Sequence, residues 1–383
     1  MSVPVVLVAG LHGAARAAVV DRLLREHSGA LAIHHDLRQI TGGLVVRTVR
    51  DAGVVREQVA VRLEHGCVTC TVRLDLIPQL LRYAGQASLL VVDLWDAVEP
   101  QSVAETVGHP EADPDLRLTG VLTALDAELM PTDICRGELL SEIGKQAAAG
   151  DGRYLAEVLA HQIEYATALV VPETMPAPLP SADEEDLELC REVLGHLAPM
   201  TPVAMPGDPL PAVTGPGVCV HELAARVDPA SAQLPCMAHT PAVDTVVWHR
   251  ARPLHPGRFF DAMDDLATRS VRSRGRFWLA NRPDRLLAWD AVAGIVSIED
   301  TGPWLAALPE TAWEDVPLAR RLAASLDWTP EHGDRVQHLV LTGPGLDQDE
   351  IHALLDGCLL APDEPVTVVE DPFAELLDRD AAG

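Results

Sequence analysis

The sequence predicts a two-domain α/β chain, in which a mostly parallel sheet flanked by helices precedes a smaller α+β domain. Three observations carry this reading. Continuous apolar runs at 3–9, "ASLLVVDLW" (87–95), "LTGVLTALD" (118–126) and "YATALVVPE" (165–173) read as strands buried on both faces, the habit of parallel sheets. Helix-like segments fall between them, which gives the strand–helix alternation of a parallel architecture. Beyond residue 242 the character changes, and every tryptophan except Trp95 lies there.

Taken in order, 3–9 is a strand that ends at Gly10, and 14–27 is a helix. A short strand follows at 29–34, then a helix with an apolar stripe over "LDLIPQLLRYAG" (74–85). Further helices are expected near 100–107, 138–149 and 152–163. A capping box, Ser181 followed three residues later by Glu184, opens a helix in the 172–207 stretch, and a short strand fits 201–205. Proline and glycine cluster through 206–217 and a linker runs on to about 242. In the second half "TVVWHRARPLHPGRFFDAMDDLA" reads as strand, turn and helix. "GRFWLANRPD", "LAWDAVAGIVSIE" and "RVQHLVLTGPG" read as strands and turns, and Asp347 opens a last helix. The expected boundaries are 1–225, a linker at 226–242, a second domain at 243–369 and an acidic tail at 370–383. There is no internal repeat.

The chain of 383 residues is 48% hydrophobic, ample for buried cores, so global disorder is not expected. With 57 acidic against 29 basic residues the net charge is −28, a surface that repels bare nucleic acid and anionic membranes while serving solubility. It leaves room for docking on a protein or a ribonucleoprotein. Nearly all basic residues are arginine: Lys145 is the only lysine, and Asn281 the only asparagine. The seven cysteines, Cys67, Cys70, Cys135, Cys190, Cys219, Cys236 and Cys358, are odd in number and scattered. That argues against a disulfide scaffold and for a reducing cytoplasm. No basic residue precedes the short apolar run at 3–11, so no signal peptide is expected, and no run is long enough for a transmembrane helix.

Three places can carry chemistry. The stretch "VVLVAGLHGAARAAVV" (5–20) has the outline of a phosphate-binding loop, G-x-x-x-x-G-K-[ST], in the frame Gly10, Leu11, His12, Gly13, Ala14, Ala15, Arg16, Ala17. Such a loop needs backbone N–H groups at a helix N-terminus, a lysine on the phosphates and a hydroxyl on Mg²⁺. Gly10 and Gly13 remain; the last glycine is Ala15, the lysine is Arg16 and the hydroxyl is Ala17. Read alone, it also fits an ordinary strand–helix turn. The second place is "LEHGCVTCTVRLDLIPQL" (63–80), where Cys67 and Cys70 form a C-x-x-C before a helix. Two thiolates at that spacing grip one Zn²⁺, with the helix N-terminus and Arg73 expected to lower their pKa. Further donors nearby are His65 and Glu64, with His12, His34 and His35 on neighbouring loops. A redox dithiol and two plain buried cysteines are the other readings. The third place, Cys219, His221, Cys236 and His239, matches no common zinc finger.

These features, in this order, resemble the CobW family of metal-chaperone GTPases over nearly the whole chain. "GCVTCTVRLDL" (66–76) is similar to the family's G-C-x-C-C segment with Thr69 in place of the middle cysteine. "LVVDLWDAVEPQSVAETV" (90–107), with Asp93, resembles its Walker B region. "RPLHPGRF", "GRFWLANRPD", "TGPWLAALP" and "LDGCLLAPDE" resemble its C-terminal domain, four phrases in the right order. The resemblance implies a P-loop GTPase-like domain followed by a CobW C-terminal domain, GTP and Mg²⁺ at Gly10, Gly13, Arg16 and Asp93, and zinc at Cys67 and Cys70.

The departures bear on activity. The loop lacks its lysine and its Mg²⁺ hydroxyl, the guanine-reading N-K-x-D is replaced by "VVPETM" (170–175), and Arg62 stands where the family has an acidic residue before its cysteines. Phosphoryl transfer rests on positioning and charge stabilisation, so these losses together imply weak or absent GTP hydrolysis. The C-x-x-C is similar to an actinobacterial branch linked to zinc starvation, the ribosome hibernation factor-recruiting GTPases. That likeness implies a ribosome or hibernation factor as partner. A metallochaperone delivering zinc to a client protein in a GTP-dependent way, and a dithiol redox protein, are the alternative functions.

Overall fold

The computed structural model describes residues 2–108, 114–173, 182–230, 234–365, 371–374 and 376–377. The chain divides into two compact units, 1–224 and 225–383.

The first unit opens with β1 (Val3–Ala9), α1 (Gly13–Glu26), β2 (Ala30–Asp36), β3 (Leu44–Arg50) and β4 (Val55–Arg62). A short α2 (Val68–Thr71) passes through one π turn at Val72–Leu76 into α3 (Ile77–Ala84). Then come β5 (Leu89–Asp93), α4 (Pro100–Gly108), β6 (Leu116–Ala124), α5 (Met130–Asp133), α6 (Leu155–Glu164), β7 (Ala168–Val170), α7 (Glu184–Leu197), β8 (Val203–Ala204) and α8 (Val220–Val227). The sheet order is β4-β3-β2-β5-β1-β6-β7-β8, parallel from β2 through β8 and antiparallel across β2-β3-β4. Val5, Val6, Leu7 and Val8 are fully buried, as the unbroken apolar run requires of a central strand. Each such side chain contributes about 1.5–3 kcal/mol on burial. Gly10 has φ +139°, and a β-carbon there would lie 2.2 Å from the Ala124 carbonyl oxygen, so only glycine turns this corner.

The second unit holds β9 (Ala238–His239), β10 (Asp244–Arg250), α9 (Pro256–Arg269), β11 (Arg272–Phe277), β12 (Arg285–Val292), β13 (Ile295–Pro303), α10 (Leu318–Asp327), β14 (Gln337–Gly343) and α11 (Gln348–Cys358). Its antiparallel sheet runs β13-β12-β11-β14-β10-β9. α9 and α11 cover one face over a core of Trp248, Phe259, Phe277, Trp289, Leu341 and Leu355. Asp347 caps α11 through its Oδ1, which accepts from Asp349 N and Glu350 N, as the sequence predicts.

Four expectations change. No helix forms at 138–149; Gly144 and Gly150 at φ +70° and +73° break the segment into turns. β3 and β4 were not expected: β4 is an exposed edge strand without a continuous apolar run. α8 occupies part of the stretch read as linker. Within the stretch read as an acidic tail, Phe373 is fully buried and stacks on Phe259 at 6.2 Å. Ser181 of the expected capping box lies outside the described residues; α7 is capped by Asp183 and Asp186. Among the described residues, no helix is long and apolar enough to cross a membrane.

Candidate functional site

The parallel strands β1, β5 and β6 end side by side, and the loops leaving those carboxyl ends carry both motifs' surroundings. Val8 on β1 and His34 on β2 both lie in register with Asp93, the last residue of β5. That register brings Asp93 against the turn that follows β1.

Arg16, on the first turns of α1, points back into this turn and is buried. Its Nε donates to Asp93 Oδ1 (2.7 Å) and its NH1 to the Gly10 carbonyl (2.6 Å). NH1 also lies 2.8 Å from Asp96 Oδ1. Burial opposes the charge on Arg16, but Asp93 and Asp96 outweigh it and raise its pKa. Lys145 arrives from the 140–150 turns; its Nζ donates to the Leu11 carbonyl (2.8 Å) and pairs with the other Asp96 oxygen. His34 Nδ1 donates to the Asp93 carbonyl (2.9 Å), and its ring is favoured in the charged form by the Asp93 carboxylate against the cost of burial. His12 accepts from Asp126 N at Nδ1 (3.0 Å), so the proton sits on Nε2 and donates to Asp133 Oδ2 (3.2 Å).

A Mg²⁺–nucleotide does not fit these residues. A phosphate-binding loop offers free donors and an open hydroxyl. Here the Arg16 guanidinium is engaged by two half-buried carboxylates and a carbonyl, Ala17 has no oxygen to give, and Asp93 is spent on Arg16 and His34. β7 ends at Val170, and Val171, Pro172 and Glu173 follow it in place of a guanine-reading motif, before residues outside those described.

The cysteine loop is built next to this cluster in the chain's first unit. Gly66 packs so tightly that a β-carbon on it would stand 1.8 Å from the Ile40 carbonyl oxygen, which fixes where Cys67 begins. Cys67 caps α2: its Sγ accepts from Cys70 N (3.4 Å), and its carbonyl accepts from Thr71 N (3.1 Å) and Thr71 Oγ1 (3.0 Å). Both thiols are half-buried and unoxidised. Cys70 is not lowered as expected. Its hydrogen bond to Cys67, burial, and the charges of Cys67 and Glu64 push it up, with only Arg73 acting the other way. His65 is exposed and meets the loop through its carbonyl, which accepts from Cys67 N (3.0 Å). Cys67, Val68 and Thr69 line a cleft of about 540 Å³ whose opposite sides are Glu99, Glu105, the 147–151 segment and Arg153.

The helix behind the cysteines is anchored from below. The π turn places Asp75 inward, where it accepts from His35 Nε2 (2.7 Å) on β2 and pairs with Arg47 on β3. Burial works against this carboxylate, yet His35 and Arg47 hold it below the usual range. Arg47 also pairs with Glu57 on β4.

Among the described residues, no three or more His, Cys, Asp or Glu side chains are gathered as a metal site. Cys219 and Cys236 are exposed, and His239 pairs with Asp244. Asp96 and Lys145 were missed by motif reading. The available signals were the uniqueness of Lys145 and the second aspartate in "DLWD".

Residues 4–203 match the model of the CobW/HypB/UreG nucleotide-binding domain, and 243–359 that of the cobalamin synthesis protein cobW C-terminal domain. The chain is 31% identical to the zinc chaperone Rv0106 of Mycobacterium tuberculosis, over 100% of this chain and 97% of that protein. It is 22% identical to the zinc-regulated GTPase metalloprotein activator 1 of Dictyostelium discoideum, over 94% and 80%. Against the zinc-bound YjiA GTPase of E. coli it gives a TM-score of 0.37 at 16% identity, covering 94% of this chain and 99% of that one.

Proposed function

The chain belongs to the CobW family, and on that footing we propose that it handles zinc through Cys67 and Cys70 without turning over GTP. The observation that carries the second half is the Arg16 cluster: the charges that would meet a Mg²⁺–nucleotide are paired with one another. A zinc chaperone among its relatives and the thiol pair at C-x-x-C spacing support the first half.

Zinc is the cargo in this reading. Two sulfurs supply half of a tetrahedral shell; His65 adds a third ligand and a client protein's own donors complete it. An incomplete resident set favours exchange over permanent holding, because structural zinc sites close all four positions. The client is a zinc protein of the same reducing compartment, the cytoplasm. The likeness of "CVTC" to the zinc-starvation branch extends the proposal to a hibernation factor or ribosome as the partner met when zinc is scarce.

The test is a zinc competition titration against a chromophoric chelator, run beside a GTP hydrolysis assay with Mg²⁺. The wild type takes up one zinc, Cys67→Ala/Cys70→Ala takes up none, and hydrolysis stays at background. A double variant with undiminished zinc uptake overturns the metal assignment. Turnover of GTP restores the GTP-dependent chaperone, and a Cys67–Cys70 disulfide cycling without metal restores the redox reading.

A further inference from the structure

The turn between β1 and α1 is made to receive an anion, and it already holds one. α1 has no acidic residue in its first turn and no side-chain cap, so its positive end is not answered from within the helix. The answer comes from Asp96, three residues past the end of β5. Its Oδ1 lies 3.3 Å from where a β-carbon on Gly13 would stand, and its Oδ2 3.9 Å from the same point. The carboxylate thus lies beside Gly13, the first residue of α1. Arg16 NH1 grips one oxygen at 2.8 Å and Lys145 the other, and Lys145 is tied in turn to the loop carbonyl of Leu11.

We infer that the Asp96 carboxylate is a built-in substitute for a phosphate in this loop. A guanidinium and an ammonium gripping two oxygens beside a helix N-terminus form a phosphate-binding chemistry, here satisfied from inside the chain. The inference rests on the nucleotide-independent reading above and deepens it: the loop has lost its ligand by acquiring a covalently attached one.

The substitution has a structural consequence. In nucleotide switches, a phosphate orders loops that relax once it leaves. Asp96 cannot leave. Through Lys145 it pins the segment whose next turns, Ala147 to Asp151, form one side of the cleft that Cys67 lines. That side of the cleft is therefore held in one arrangement whether or not nucleotide is present.

Asp96→Gly removes the resident carboxylate while leaving Arg16 and Lys145, so the loop should accept a free oxyanion. The probes are inorganic pyrophosphate and Mg²⁺·GTP, followed by calorimetry and by thermal stabilisation of the full chain. The wild type binds neither at millimolar concentration. Asp96→Gly gains pyrophosphate binding at least tenfold tighter, and adding Lys145→Met abolishes the gain. Should Asp96→Gly not fold, Asp96→Ala, which also empties the space between Arg16 and Lys145, carries the same test, with phosphate-dependent stabilisation as its readout. A folded Asp96 variant that gains no oxyanion binding overturns this inference alone. Wild-type protein that binds Mg²⁺·GTP overturns the nucleotide-independent reading with it.

Discussion

Gly66 shows how much of this site is decided by single residues. The cysteine loop can start where it does only because residue 66 has no β-carbon; one would lie 1.8 Å from a backbone oxygen of Ile40. Neither partner of that contact is the end of a flexible side chain, so the backbone itself must move. Gly66→Ala is expected to destabilise the chain by about 1–3 kcal/mol, the range of overpacking. It should also shift Cys67 away from Cys70 and weaken zinc uptake at least tenfold, with both thiols still present by thiol titration. Unchanged zinc affinity in this variant would mean that the loop does not need its present geometry. The glycine, both cysteines and Arg16 were legible in the sequence, because each sits inside a local motif. The carboxylates that redefine Arg16 were not equally so. Asp93 stood in a motif, but Asp96 matters only because the register of β5 against β1 carries it beside Gly13, and local spacing does not encode that register.

At the scale of elements, parallel strands were readable because burial on both faces demands unbroken apolar runs. The β3–β4 hairpin was not, because a half-exposed edge can be written with arginine, glutamate and glutamine. The second sheet makes a prediction of its own. Its register sets His249 on β10 and Arg276 on β11 on either side of His338 on β14. Burial, Arg276 and His249 together push the His338 pKa down to about 3, while Asp327 opposes them; Asp327 is itself paired with Arg276 and accepts from His249 Nε2 at 3.1 Å. The folded chain therefore refuses a proton that the unfolded chain accepts at its ordinary 6.5. The stability tied to this neutral histidine is present above pH 6.5, declines as the pH falls below it, and is fully lost near pH 3. Thermal midpoints of wild type and His338→Val should draw together as the pH falls from 6.5 toward about 3, with the wild type falling faster. Parallel pH profiles for the two proteins would remove His338 as the cause.

For the molecule as a whole, the net charge of −28 bears on how any ribosomal partner is met. Many of the arginines are not free to contact phosphate: Arg16, Arg47, Arg272 and Arg276 are buried against carboxylates. A chain of this kind gains nothing from counterion release, the term that drives binding to an RNA backbone and makes it collapse with added salt. For the ribosomal partner proposed above, docking through a protein is the mode that the chain's charge permits, and salt then screens repulsion from nearby RNA. Co-sedimentation with ribosomes from zinc-starved cells should accordingly hold steady or strengthen between about 50 and 200 mM salt, whereas an interface of six to ten phosphate contacts weakens roughly 10³–10⁵-fold over that range. A steep loss of the co-sedimenting fraction across that range would place the contact on nucleic acid and refute docking through protein. Retention at the higher salt that disappears with Cys67→Ala/Cys70→Ala would tie the docking to the cysteine loop, while retention in that variant would assign it to another surface of the chain.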